Sequence, residues 1–442
     1  MKRLYLLTVL CVVLLISIFS YCTEADTDRD GVIDEKDQCP EVPAKTKNGC
    51  PEKKVITDVK IYLETSASMG GYFNPYESTE FKSVVTDLIS KVNQNVNPVK
   101  IAFIAESTVR YNKSVSDFNR EIATTSISPQ KSSQLHRIID QISTETGKGN
   151  VSILISDCIL SFPDKDIKKN PEINRIQANL SLKDDIYNTF SKLKKKHYGA
   201  IVYAFTSEFF GTYYDYQNVK TRLRGEMRPF YIWVIGESDL LTQFDSALSD
   251  ISTFKPIKSL HFGSSEKPVV QYDIIPQLGK KGKWSKTPNG LEDIELAGKE
   301  PLQFFIGLDL TQLPAYTQDL NYLQKNIRIS AAGSPVKFQF RDKETFEKSK
   351  IKSEPQRKQF QNATHILMIE MANLGMSESQ LQISLPMKYD TWYKTWSTMN
   401  DKSAVGRQNK TFAFEHLIAG VLEAYDSRNK EFIKFSINLI KD

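Results

Sequence analysis

Histidine and cysteine are scarce, with five of each in 442 residues. No two cysteines stand as Cys-x-x-Cys, and the histidines are dispersed. Both facts argue against zinc, which clustered thiolates and imidazoles bind. No histidine stands in a nucleophile–base arrangement in the sequence, and His136 and His197 are isolated, which argues against a hydrolase. An excess of one charge is also missing: 58 Lys and Arg oppose 53 Asp and Glu, for a net +5. The cations are scattered instead of forming a stripe, so nucleic-acid binding is not expected. The run Lys192–Lys196 reads as a solvated helix end. Beyond the first twenty residues no apolar run approaches the ~20 residues that a bilayer span requires.

What is present begins at the amino terminus. Lys2 and Arg3 precede an apolar run from Leu4 to Phe19. That is the charged and then apolar pattern of an export signal, with a retained anchor as the alternative. Two ends of the signal are open. Cys22, followed by Glu24, Asp26 and Asp28, suits a lipoprotein cut before a lipidated cysteine, although Tyr21 is not the small residue that such a cut prefers. A cut after Ala25 fits the small residues Thr23 and Ala25. The first tethers the protein to a membrane and the second frees it. The expected location is the cell envelope: outer membrane, periplasm or cell surface. In such an oxidising compartment Cys39 and Cys50, which flank a short loop, are disulfide candidates. Cys158, at the end of an apolar strand, reads as a buried thiol.

Residues 23–54 form an acidic module. Asp26, Asp28, Asp30, Asp34 and Asp37 fall at positions 1, 3, 5, 9 and 12 of a loop with Gly31 at position 6. Calcium takes six to eight hard oxygen ligands, and alternating aspartates wrap them around one ion. The carbonyl of Val32, at position 7, is the expected backbone ligand. Gly31 permits the sharp turn. The stretch Asp26–Pro51, with its Cys39-Pro40 and Gly49-Cys50-Pro51, resembles a thrombospondin type 3 repeat. The resemblance implies Ca²⁺ binding and a stiff spacer that loosens when calcium is removed.

From residue 55 to 254 the pattern becomes α/β. Strand-like runs at Val59–Leu63, Val99–Ala105, Val109–Val115, Val151–Ile155, Ala200–Phe205 and Phe230–Ile235 alternate with helical spacings at 81–92, 135–142, 186–193 and 240–248. This alternation predicts a doubly wound, mostly parallel sheet. Such sheets bind ligands at the carboxyl ends of their strands. The stretch Glu64-Thr65-Ser66-Ala67-Ser68-Met69-Gly70-Gly71 resembles the Asp-x-Ser-x-Ser loop of von Willebrand factor A domains. Ile153-Leu154-Ile155-Ser156-Asp157 is similar to that family's strand ending in a metal-site aspartate, and Ser133 lies where the family places a metal-binding threonine. The resemblance implies that Glu64, Ser66, Ser68, Ser133 and Asp157 share an oxygen-only site for Mg²⁺ or Ca²⁺, completed by a partner's carboxylate. Glu64 stands where the family has aspartate. The extra methylene shifts the site, favours Ca²⁺ or disables it.

Phe209–Tyr216 is rich in aromatic residues and is either a binding surface or a packing segment. Residues 255–442 carry short strand-like runs at Gln303–Leu308, Ile327–Ala331, Val336–Phe340, His365–Met371 and Gln380–Leu385, then a helix at Phe414–Ala424 and a strand at Phe432–Ile440. They predict a β-rich, sandwich-like domain. The functional expectation is a non-enzymatic envelope protein that captures a protein partner through its A-like domain. The alternative is a metal-free scaffold in an envelope or secretion assembly.

Overall fold

The computed structural model describes residues 26, 29–33, 36, 44–47, 49, 54–96, 99–124, 127, 134–160, 162–249, 251–263, 271–288, 290–296, 300–311, 313–346, 351–425 and 430–442. The leader, Cys22, Asp28, Asp34, Asp37, Cys39, Cys50 and Ser133 lie outside them. The chain divides into two units, Met1–Val55 and Ile56–Asp442. Among the described residues no helix is long and apolar enough to cross a membrane.

A seven-stranded mixed sheet organises the larger unit. Its strands are β1 (Asp58–Glu64), β2 (Val99–Ile104), β3 (Thr108–Tyr111), β4 (Asn150–Ser156), β5 (Tyr198–Phe209), β6 (Glu226–Glu237) and β7 (Lys258–Phe262), in the spatial order β3-β2-β1-β4-β6-β5-β7. Alternation of apolar residues along each strand builds two cores. Val59, Ile61 and Leu63 face one side, with helices α1 (Glu80–Asn95), α2 (Val115–Thr124) and α5 (Ser238–Ser249). Tyr62, Leu154 and Trp233 face the other, with α3 (Leu135–Glu145), α4 (Lys183–Lys195) and α6 (Phe414–Ala424). Helices on both faces leave the central strands buried on both sides, so they read as nearly continuous apolar runs.

The expected mostly parallel sheet is corrected to a mixed one. β1 runs parallel to β2 and β4, but β6 pairs antiparallel with both β4 and β5, and β3 and β7 are antiparallel edges. The cause lies in the link between β5 and β6. It is not a crossover helix but a short ribbon, Thr212–Tyr214 against Lys220–Arg222, and such a turn joins antiparallel neighbours. A second correction concerns Val109–Val115. The strand ends at Tyr111 and Val115 opens α2. The Ser114 hydroxyl accepts from the Asp117 amide at 3.0 Å, and the Asp117 carboxylate accepts from the Ser114 amide at 3.4 Å. This reciprocal cap starts a helix where the apolar residues alone suggested continued strand.

The carboxyl-terminal half forms two sheets over one core. Four strands, led by Leu302–Asp309 and His365–Met371, face five, led by Glu378–Pro386 and Glu431–Lys441. Leu302, Phe304, Ile306 and Leu308 meet Leu381, Ile383, Ile437 and Leu439 between them. This half is not set apart at residue 255. β7 completes the central sheet, and Trp392, Phe414 and Leu417 cover that sheet's second face.

Candidate functional site

β1 and β4 are parallel neighbours in register, Leu63 opposite Ile155, so their carboxyl ends open side by side. Each strand delivers one acid to that edge. Glu64 closes β1 and Asp157 follows β4, and both are buried, at 0% and 2% exposure. After Glu64 the chain turns sharply. The Thr65 amide donates to the Ile104 carbonyl of β2 at 3.0 Å, and the Met69 amide donates to the Ser66 carbonyl at 3.1 Å. The resulting short 3-10 turn, Ala67–Gly71, brings Ser66 Oγ within 2.9 Å of Ser68 Oγ. The turn is held close to β5: a Cβ on Gly71 would lie 2.3 Å from the Phe209 ring.

After β4 the backbone makes a second turn. Cys158 adopts a left-handed φ of 55°, and its amide donates to Ser156 Oγ at 2.7 Å. The Ile159 amide donates to Asp157 Oδ1 at 3.1 Å. Asp157 Oδ2 is buried without a hydrogen-bond partner. The Ser156 hydroxyl donates a short hydrogen bond to the Glu64 carboxylate. The Cys158 thiol is buried and accepts from Trp233 Nε1 at 3.2 Å.

Burial raises the pKa of Asp157 well above the usual carboxylate range, and the neighbouring Glu64 charge raises it further. The Ile159 amide, the Ser68 hydroxyl and the buried Arg228 pull the other way. Arg228 is 2% exposed, stacks on Tyr213 at 4.5 Å and donates to the Arg407 carbonyl. Above the two serines opens a cavity of about 430 Å³, also lined by Glu106, Asp164, Tyr214 and Asp215.

Of the residues expected at this site, Glu64, Ser66, Ser68 and Asp157 stand at these two adjoining strand ends, and Ser133 lies outside the described residues. Sequence reasoning overlooked Ser156 and Arg228. Ser156 was visible as a hydroxyl at the end of an apolar strand, directly before Asp157. Arg228 was visible as a cation at the border of the run Phe230–Ile235. The aromatic segment is largely a packing element: Phe209, Tyr213 and Tyr216 are buried, and Tyr214 reaches the cavity wall.

In the amino-terminal unit, Asp26 accepts from the Arg29 amide at 2.7 Å and the Gly31 amide at 3.1 Å. Asp30 accepts from the Val32 amide at 2.7 Å and the Ala44 amide at 2.9 Å. Gly31 takes φ 100°, the turn that sequence reasoning required of it.

Among the described residues no three His, Cys, Asp or Glu side chains converge as a metal cluster. A cation at the β1–β4 edge would therefore rest on hydroxyls as well as carboxylates. The uncommitted Oδ2 of Asp157 and the serine hydroxyls facing the cavity fit a hard, oxygen-seeking ion. Compared with protein-family models, curated proteins and solved structures, the chain finds no match.

Proposed function

We propose that this chain is an exported cell-envelope protein that captures a protein partner at the β1–β4 edge of a von Willebrand factor A-like domain, with the acidic amino-terminal repeat as a Ca²⁺-stabilised spacer. One observation carries the reading: a buried carboxylate oxygen, Asp157 Oδ2, without a hydrogen-bond partner, near serine hydroxyls that open onto a cavity. Such an oxygen costs on the order of 1–3 kcal/mol unless something satisfies it. Asp157, Ser66 and Ser68 would hold Mg²⁺ or Ca²⁺, with Glu64 supplying nearby negative charge. The ion would offer positive charge to a partner's carboxylate. The serines position it, and the walls of the cavity set which acidic group can reach it.

Isothermal titration of Mg²⁺ into the chelator-treated full chain tests the reading, with Mg²⁺ chosen to favour the edge over the calcium repeat. A binding event that Asp157→Asn removes, together with capture of an envelope protein that chelator abolishes, is the expected result. Identical titrations for the parent chain and Asp157→Asn would end the metal-assisted version.

A metal-free scaffold is the second reading, favoured by the Ser156–Glu64 hydrogen bond. That bond already engages the first expected ligand, and Arg228 supplies a buried positive charge. Partner capture that persists in chelator supports it.

A further inference from the structure

Three strands along the sheet from β4, the edge strand β7 carries Ser259 and His261. They are two residues apart and so project from one face, opposite Leu260 and Phe262 in the core beneath. His261 Nε2 lies 3.3 Å from Ser259 Oγ, and Nδ1 lies 3.7 Å from Asp245 Oδ2 of α5. The Tyr203 hydroxyl, on β5, donates to Asp245 Oδ1 at 2.6 Å and holds that carboxylate. Tyr316 packs on the imidazole at 4.9 Å between ring centres. The backbone carbonyl of Ser259 is pinned by Trp392 Nε1 at 3.0 Å. Ser259 and His261 both line a cavity of about 730 Å³, whose walls include Tyr316, Tyr322 and Tyr389.

We propose that Ser259, His261 and Asp245 form a nucleophile–base–carboxylate triad that hydrolyses a carboxylic ester bearing a flat apolar group. The order is the one that the chemistry requires: serine faces Nε2 at hydrogen-bond distance, and the carboxylate faces Nδ1 at ion-pair distance. With its proton on Nδ1, the ring accepts from the Ser259 hydroxyl through Nε2. Burial lowers the pKa of His261 and the Asp245 charge raises it, with burial dominant, so the ring is neutral at pH 7 and free to accept a proton. Serine–base distances are commonly long in an empty site and tighten around substrate. The tyrosine walls select the flat group.

In the reaction, Ser259 Oγ bonds to the acyl carbon while its proton passes to His261 Nε2. The bond from that carbon to the alcohol oxygen breaks, and the alcohol leaves with the proton. Water then attacks the acyl-serine, giving its proton to Nε2. The carboxylic acid departs and the serine hydroxyl is restored. Asp245 is a positioning residue here: it orients the ring and supports its charged form.

The full chain is tested with 4-nitrophenyl butyrate and with a fluorophosphonate reagent. Turnover is expected, with Ser259→Ala and His261→Gln each lowering it at least ~100-fold while melting temperatures hold. The fluorophosphonate is expected to modify Ser259 of the unaltered chain, as mapped by peptide mass. Asp245→Asn is expected to slow turnover and to move the acid limb of the rate profile to lower pH, because removing the negative charge makes His261 harder to protonate. Absence of the adduct on Ser259 of the folded chain, or turnover by Ser259→Ala equal to that of the parent, overturns the proposal without touching the reading of the β1–β4 edge.

Discussion

Ser156 donates its hydroxyl hydrogen bond to Glu64 across the β1–β4 pair, so the carboxylate that resembles a metal ligand is already engaged by its neighbouring strand. The longer glutamate makes this possible. Its carboxylate reaches the hydroxyl at the end of the adjacent strand, and beside it Asp157 keeps an oxygen, Oδ2, without a hydrogen-bond partner. Two buried acids at one strand edge repel when both are ionised, and that repulsion is relieved by a proton, by a cation or by Arg228.

Removing one of those charges is therefore stabilising in chelator. Glu64→Gln keeps an acceptor for Ser156 and deletes the repulsion felt by Asp157. At pH 8 without divalent ions the variant is expected to gain on the order of 1 kcal/mol in urea unfolding and to bind Mg²⁺ more weakly than the parent. A loss of stability would mean that Glu64 is balanced by a stronger attraction than the structure displays.

The raised pKa of Asp157 has a definite sign in stability. The folded chain holds a proton at a pH where the unfolded aspartate, with a pKa of about 3.9, has released it. Its contribution is thus full below that value and is lost as pH rises towards the raised folded value. In chelator, stability measured by urea unfolding should fall across this window, and Asp157→Asn should flatten the fall.

The serine turn depends on a close approach. A Cβ on Gly71 would sit 2.3 Å from the Phe209 ring, whereas one on Gly70 would meet nothing within 4 Å. Gly71→Ala is expected to cost about 1–3 kcal/mol by overpacking and to disturb the Ser66–Ser68 contact. Gly70→Ala should be nearly neutral. Equal unfolding midpoints for the two variants would refute the packing argument.

Local periodicity carried much of the fold. The spacing of Phe81, Val84, Val85, Leu88, Ile89 and Val92 foretold α1, and Phe414–Ala424 was legible to the residue as α6. Strand direction was not legible, because periodicity says which face a residue takes but not which neighbour its strand finds. Hence β6 came between β4 and β5 unannounced. Glu64 and Asp157 were named because two local stretches, each a strand end with its following turn, resemble the loops of one family. The approach of Ser156 to Glu64, 92 residues away, and of His261 to Asp245 on α5, depends on tertiary packing that spacing does not encode.

In the amino-terminal repeat, the Asp30 carboxylate spans the loop, accepting from Val32 and from Ala44, fourteen residues on. On the proposed reading the same carboxylate is a calcium ligand, and calcium binding and closure of the loop would then be coupled through one side chain. Full-length chain in millimolar Ca²⁺ is expected to resist proteolysis between residues 26 and 51, and chelator should expose that segment to rapid cleavage while the larger unit stays intact. Asp30→Ala should abolish the protection by calcium, because it deletes both a proposed ligand and the acceptor for Ala44. Lys45→Ala, a change outside the acidic positions, should keep the protection. If cleavage of the parent chain proceeds at one rate with and without Ca²⁺, the repeat does not use the ion, and its aspartates serve only as turn-forming acceptors for backbone amides.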